Sequence, residues 1–273
     1  MELTDPFSRF EYAGWERVAS RYHAAWSGLT RLFVPPLLDA LRLRPGAWVL
    51  DVACGPGYVA EAARRRGAMA IGVDFSPTMV AIAARSHPKL QFHTGDAQAL
   101  QYESQSFDAV AMNFGVLHLA APELAFAEAA RVLRPRGRYA FTLWAGPEQS
   151  PGVKIVADAI TAHADMNVKL PDAPAYFSYE SAAECTPALQ RAGFDVATLE
   201  FKTITAEWAV PRAEFVFEAE RDAGVRVAAV LAAQDSATLD AIRVAVVAGA
   251  QPYARENGFL LPFAAHVVAV SVP

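Results

Sequence analysis

An apolar strand that runs straight into closely spaced glycines and then into a helix leaves a chain few folds to choose from. Residues Val49-Leu50-Asp51-Val52-Ala53-Cys54-Gly55-Pro56-Gly57-Tyr58-Val59-Ala60 have this form. Glycine removes the Cβ that would hold a ligand away from backbone N–H groups, and a helix N-terminus presents several of them at once. Taken alone, Gly55 to Ala60 also satisfies the dinucleotide pattern G-x-G-x-x-A, and Asp74 follows at the distance expected of a ribose-binding carboxylate. The glycines therefore predict a nucleoside cofactor without choosing between nicotinamide dinucleotide and another. Asp51 narrows the choice. At the end of a first strand it would lie near a bound pyrophosphate and repel it, whereas a ligand with an ammonium and a sulfonium would be attracted. Adenosylmethionine carries both and still offers ribose hydroxyls to Asp74. The alternative reading of Asp51 is a turn or capping residue.

The pattern around this turn is regular. Two helices are expected between Glu11 and Arg42, where Trp15, Val18, Ala19, Tyr22 and Trp26 recur at helical spacing. Strands are expected over 47–52, 69–73, 90–93, 107–113 and 139–144, with helices over 57–66, from Ser76-Pro77, and over 122–133. Such alternation calls for a parallel sheet covered on both faces. Further on, helices are expected over 153–164 and 181–192, a strand over 196–208, and a helical stretch over 211–250 with a turn near Gln234-Asp235-Ser236. A closing strand is expected over 267–272.

Composition excludes several classes. Net charge is −5, and beyond the short Arg64-Arg65-Arg66 run there is no basic stripe, so nucleic acid is a poor substrate. With 53% hydrophobic residues the chain supplies a core without disulfides, and Cys54 and Cys185 read as free thiols in a reducing cytoplasm. No basic flank precedes an apolar run at the N-terminus, and no run is long enough to span a membrane.

The ordered segments VLDVACGPG, IGVDFSPTMV, GDAQAL, SFDAVAMNFGVLHL and ARVLRPRGRYAFTLW resemble the successive motifs of class I S-adenosylmethionine-dependent methyltransferases. The similarity is greatest to the branch of ubiquinone/menaquinone-biosynthesis and small-molecule natural-product enzymes, and it covers roughly 44–144. The resemblance implies a Rossmann-like, doubly wound, mostly parallel α/β sheet with an antiparallel C-terminal strand, N-terminal helices and a helical lid insert. One domain over 1–273 is expected: a helical cap over 1–43, a cofactor-binding core over 44–145, and a substrate-side half over 146–273 whose insert spans about 211–253. It further implies that Asp51 and the backbone of Ala53, Gly55 and Gly57 hold the methionine end, and that Asp74 takes the ribose hydroxyls. Phe75 and Met79 would border the adenosine, with Asp96 and the Ala97 N–H at the adenine edge. Asn113 and Phe114 would pass the methionine moiety, and Tyr22 resembles a tyrosine that closes over the cofactor carboxylate. Ala53 stands where the family usually has its first glycine, which a β or bridge conformation would tolerate.

For a phenol or hydroxyl acceptor an imidazole would help by taking the proton, and His118, after the fourth strand, is the best placed; a packing or loop-ordering role is the other reading of it. No metal site is assigned. Asn113-Phe114-Gly115-Val116 lacks the Asn/Asp-Pro-Pro-aromatic run of base-methylating DNA enzymes. Tyr12, Trp15, Trp26, Trp144, Tyr176, Phe177, Tyr179, Trp208, Phe215 and Phe217 suggest an aromatic wall and a small apolar substrate. A nicotinamide oxidoreductase and a non-catalytic adenosylmethionine-fold binding protein are the alternatives.

Overall fold

Asp5 accepts the backbone N–H of Ser8 at 2.8 Å and Pro6 fills the first helical position, so helix α1 (Pro6–Thr30) begins earlier than its aromatic spacing suggests. The computed structural model describes residues 5–273. One 3-10 turn, Arg31–Phe33, leads to α2 (Val34–Ala40), where Pro35 and Pro36 lie in the first turn and displace no intrahelical bond. Strands and helices then alternate: β1 (Trp48–Val52), α3 (Tyr58–Arg65), β2 (Met69–Asp74), α4 (Pro77–Ser86), β3 (Gln91–Thr94), β4 (Phe107–Asn113), α5 (Pro122–Val132) and β5 (Leu133–Trp144). The remainder holds α6 (Pro151–His163), α7 (Ala182–Arg191), β6 (Asp195–Val210), α8 (Phe215–Ala223), α9 (Arg226–Ala232), α10 (Ser236–Ala250), β7 (Ala254–Arg255) and β8 (Gly258–Ser271).

The strands form one sheet in the order β3-β2-β1-β4-β5-β8-β6, with short β7 paired to β8. β1 pairs in parallel with β2 and with β4, Leu50 standing opposite Ile71 on one side and Val110 on the other. Strand order therefore reverses at β1 and β4. The crevice beyond their carboxyl ends is where an open sheet of this kind receives a ligand. β8 runs antiparallel to both β5 and β6, as expected of the closing strand, but it starts at Gly258, not near Val267. Pro262 hid the extension, because proline removes a ladder donor. Ala264, two residues on, turns its N–H away from β6 to Ser150 Oγ at 3.0 Å, so Pro262 faces its missing donor to the same side and spares the β6 ladder.

Alternating residues sort the two faces. Leu50, Val110, Met112, Tyr139, Phe141, Val268 and Val270 pack with Phe126 of α5 and Leu189 of α7. On the opposite face Ala109, Ala111, Ala140 and Ala269 leave room for Leu37 and Leu38 of α2 and Val59 and Ala63 of α3 to approach closely. A third cluster, including Phe33, Phe114, Trp208, Phe217 and Phe263, joins α1, α6 and the insert above the crevice. That insert is three helices: Gly224 ends α8, and Asp235 caps α10 by accepting from Thr238 N at 2.8 Å, at the turn expected there. No helix among the described residues is long and apolar enough to cross a membrane.

Candidate functional site

The turn after β1 is built from left-handed residues. Ala53, Gly55 and Gly57 have φ of 52°, 49° and 83°, and Cys54 N donates to Val73 O at 3.0 Å, pinning the turn to β2. Ala53 is thus not in the β or bridge region expected for it; it carries a Cβ where glycine is favoured. At Gly55 nothing lies within 4 Å of where a Cβ would point, so its backbone is bare toward the cavity. Gly57 serves another purpose than that expected. A Cβ there would meet Phe92 at 2.7 Å, and the residue caps α3 instead of facing the cavity.

The two acids at the strand ends part company. Asp74 Oδ2 accepts from Gly55 N at 2.8 Å and Oδ1 from Ser76 N at 2.9 Å, while its carboxylate stays on the cavity wall. Burial pushes its pKa up to about 6. Asp51 is fully buried beneath the turn and off that wall; its Oδ2 accepts from Ala60 N at 2.9 Å, and Oδ1 has no partner among the described residues. Burial, with the like charge of Asp74 added, lifts it to about 8. The charge argument made from sequence therefore places Asp51 wrongly: the left-handed turn folds back over it, and it meets α3 as a cap.

Apart from Asp51 and Gly57, every expected site residue lines one cavity of about 450 Å³. Asp96 Oδ1 accepts from Gln98 N at 2.8 Å beside Ala97, and Met79 and Phe75 complete that end. Beyond β4, Asn113 Oδ1 accepts from Thr142 Oγ1 at 2.7 Å while its Nδ2 donates to Thr30 O at 3.2 Å. Phe114, at φ 57°, stacks on Trp144 with ring centres 3.8 Å apart. Tyr22 OH donates to Thr30 Oγ1 at 3.3 Å, and burial pushes it up to about 12. Of the expected aromatic wall, Trp15, Trp26, Trp144, Tyr176 and Phe177 line the cavity. The others pack elsewhere: Tyr12 on Phe75, Tyr179 on Phe126, Phe215 on Trp208, and Phe217 in the core beneath the insert.

His118 brings in residues that sequence reading missed. Its Nδ1 lies 2.9 Å from Glu11 Oε2, and Glu11 also accepts from Trp15 Nε1 at 3.1 Å and from Arg226 Nε at 3.1 Å. Burial alone would raise the Glu11 carboxyl, but the charges and hydrogen bonds of His118 and Arg226 outweigh it and hold the group below the usual carboxylate range. Arg226 further donates to Pro174 O at 3.0 Å and to Leu117 O, and lies 4.4 Å from the ring centre of Phe7. One signal for Glu11 was present: it shares a helical stripe with the buried Phe7, Gly14 and Val18. Arg226, distant in sequence, had none. Glu220 of α8 also reaches the wall.

The crevice lies at the switch point of an open α/β sheet, with bare backbone and acids at one end and aromatic walls at the other, where sheets of this kind receive nucleoside ligands. Residues 50–141 match the family described as methyltransferase domain. The demethylmenaquinone methyltransferase of Renibacterium salmoninarum is 36% identical over 124 residues, covering 45% of this chain and 52% of that protein. The chain thus spans about half the length of the curated relatives it matches. Among solved structures, phosphoethanolamine N-methyltransferase 2 of Haemonchus contortus superposes with a TM-score of 0.59 at 18% identity, over 98% of this chain and 60% of that one. The cyclase SpnF gives 0.57 at 18% identity, over 100% and 99%. Residues 50–141 thus match a methyltransferase domain, and the chain is similar over that region to demethylmenaquinone methyltransferases. A second structure of the Haemonchus contortus enzyme, with a TM-score of 0.56 at 17% identity, is a complex with S-adenosyl-L-methionine.

Proposed function

We propose that this chain moves the methyl group of S-adenosylmethionine to an oxygen, nitrogen or carbon nucleophile of a small, largely apolar or aromatic molecule, leaving S-adenosylhomocysteine. The division of one cavity carries the proposal: Gly55, Asp74 and Asp96 at one end, Val153, Ile160 and Phe263 at the other. The residues present fit the cofactor. Gly55 leaves open space where a side chain would stand, and Asp74 keeps acceptor capacity on the wall for ribose hydroxyls. Asp96 and Ala97 suit an adenine edge, Phe75 and Met79 flank it, and Tyr22, Asn113 and Phe114 border the methionine side.

When bound, the cofactor supplies a methyl group made electrophilic by positive sulfur. The chain's part is to hold the acceptor in line with that group at about 3 Å and keep water out, which is where such displacements gain most. We assign His118 the ordering of the turn after β4, which its Nδ1 contact with Glu11 ties to α1; the same contact orients the ring on the cavity wall and leaves Nε2 without a hydrogen bond among the described residues. The name of the Renibacterium relative supports a quinol-like acceptor. The absence of a basic stripe supports a small molecule over nucleic acid, and the free Cys54 and Cys185 support a cytoplasmic setting. In this reading the chain is one domain over 1–273, with a helical cap over 1–43, a cofactor-binding core over 44–145 and a substrate-side half over 146–273.

A thermal-shift panel with adenosylmethionine, adenosylhomocysteine and NAD(H) tests it. Both sulfur ligands are expected to raise the melting temperature of the wild type, and the Asp74→Ala variant to lose that rise. No shift with either sulfur ligand, or a shift with NAD(H) alone, would sink the reading. A labelled-methyl screen over phenols, quinols and amines then identifies the acceptor.

A further inference from the structure

Among the described acids that line the cavity, all but one accept hydrogen bonds. Asp74 and Asp96 accept backbone N–H groups, Glu11 holds His118 and Arg226, and Glu16 on α1 accepts from Thr78 Oγ1 at 2.8 Å. Glu220 lines the cavity from the last turn of α8, and among the described residues no hydrogen bond or ion pair engages its carboxylate. Nothing in the helix calls for an acid there. The last turn favours cations, and Val216, Phe217, Ala219 and Ala223 on the same helix are buried core. An acid kept unpaired on an apolar wall costs stability, so its use must be sought in what enters the cavity.

We propose that the Glu220 carboxylate takes the proton of an acidic hydroxyl, phenolic or enolic, on the methyl acceptor. This rests on the methyl-transfer reading above. In the step, the acceptor O–H bond breaks, its proton passes to a Glu220 oxygen, and the electron pair left on the acceptor oxygen bonds the methyl carbon. The carbon–sulfur bond breaks as that bond forms, and its pair neutralises the positive sulfur. The proton then leaves Glu220 for solvent through the cavity mouth.

Three observations set the assignment. Burial pushes the Glu220 carboxyl up to about 7, which brings it toward the range of a hydroxyl acid and suits a base working near neutral pH. Arg226 lies 5.6 Å from the ring centre of Tyr176 on the same wall but is paired with Glu11, so among the described residues Glu220 has no cation of its own there. His118 is oriented through Nδ1 by Glu11, and its electrostatic influence falls on Asp74 at the cofactor end. The groups around Glu220 are few. Tyr176 feels its charge along with those of Arg226 and Glu11. Glu218, Arg221 and Asp222 of α8 are occupied in ion pairs, with Arg21 of α1 acting on Asp222, and α10 pairs Asp240 with Arg243.

The test measures binding of 2-naphthol, 2-methoxynaphthalene and 2-(aminomethyl)naphthalene to the adenosylhomocysteine-loaded protein by calorimetry, from pH about 5.5 to about 8.5. The hydroxyl probe is expected to bind at least about tenfold more tightly than its ether once Glu220 ionises, with the preference growing as pH rises through about 7. Glu220→Gln should remove most of that preference and its pH dependence without changing adenosylhomocysteine affinity, and Glu220→Asp should keep the pH dependence while weakening the preference. The same preference in Glu220→Gln, tighter binding of the amine, or no binding of any probe overturns the assignment. Failure of adenosylhomocysteine itself to bind would instead overturn the methyl-transfer reading.

Discussion

Nε of Arg226 lies 3.1 Å from Oε1 of Glu11, joining the start of α9 to a fully buried position on α1. Glu11 simultaneously meets His118, so one carboxylate fastens the helical cap, the turn after β4 and the insert. A buried pair of this kind adds little over an apolar packing, but removing one partner strands the other charge. Glu11→Ala is expected to destabilise the protein by roughly 3–5 kcal/mol in urea unfolding. Because the native carboxyl is held low, this stabilisation is present above the ordinary carboxylate pKa of about 4.3 and is lost as pH falls through the native value. A variant within about 0.5 kcal/mol of wild type would show that the triad holds nothing together.

Asp74 behaves in the opposite sense. Its native pKa of about 6 lies above the unfolded value, so the ligand-free fold gains from its protonation at low pH and loses that gain as pH rises through about 6. Ribose hydroxyls prefer the ionised form as acceptor. The melting-temperature rise given by a fixed concentration of adenosylhomocysteine should therefore grow between pH about 5 and about 7. Asp74→Asn should weaken that ligand roughly 10- to 100-fold by calorimetry and flatten the pH dependence. A flat profile in the wild type would remove Asp74 from ligand binding.

Ala53 holds a left-handed φ of 52° with its methyl directed at Gly115, where an added Cβ would come within 2.8 Å of it. For an alanine this conformation costs about 1 kcal/mol or more. Ala53→Gly should raise the urea midpoint by an amount equivalent to about 0.5–1 kcal/mol, after allowance for the freer unfolded chain. A lower midpoint would mean that the methyl contributes packing that outweighs the strain.

Much of this molecule was readable from its residues, and the failures have physical causes. The strands and the turn announced themselves because apolar runs, glycines and caps such as Ser76-Pro77 act locally. The acceptors around Asp74 and Asp96 followed, since each sits directly at a strand end. Asp51 did not follow: residue type and position cannot say whether a turn passes beside a side chain or over it, and that depended on the left-handed conformations of Ala53, Gly55 and Gly57. Arg226 and Glu220 were invisible for a different reason. Their meaning arises from contact with α1 and the loop holding Tyr176, which no local pattern encodes.

β8 lies between β5 and β6 and is the strand to which β6 pairs along Phe201 to Val210. During synthesis β6 emerges before β8, the strand that pairs with it, while the insert helices can already meet α1 and α6. Until β8 follows, the β6 edge has no partner, and an edge held open in that way is exposed to aggregation when translation is interrupted.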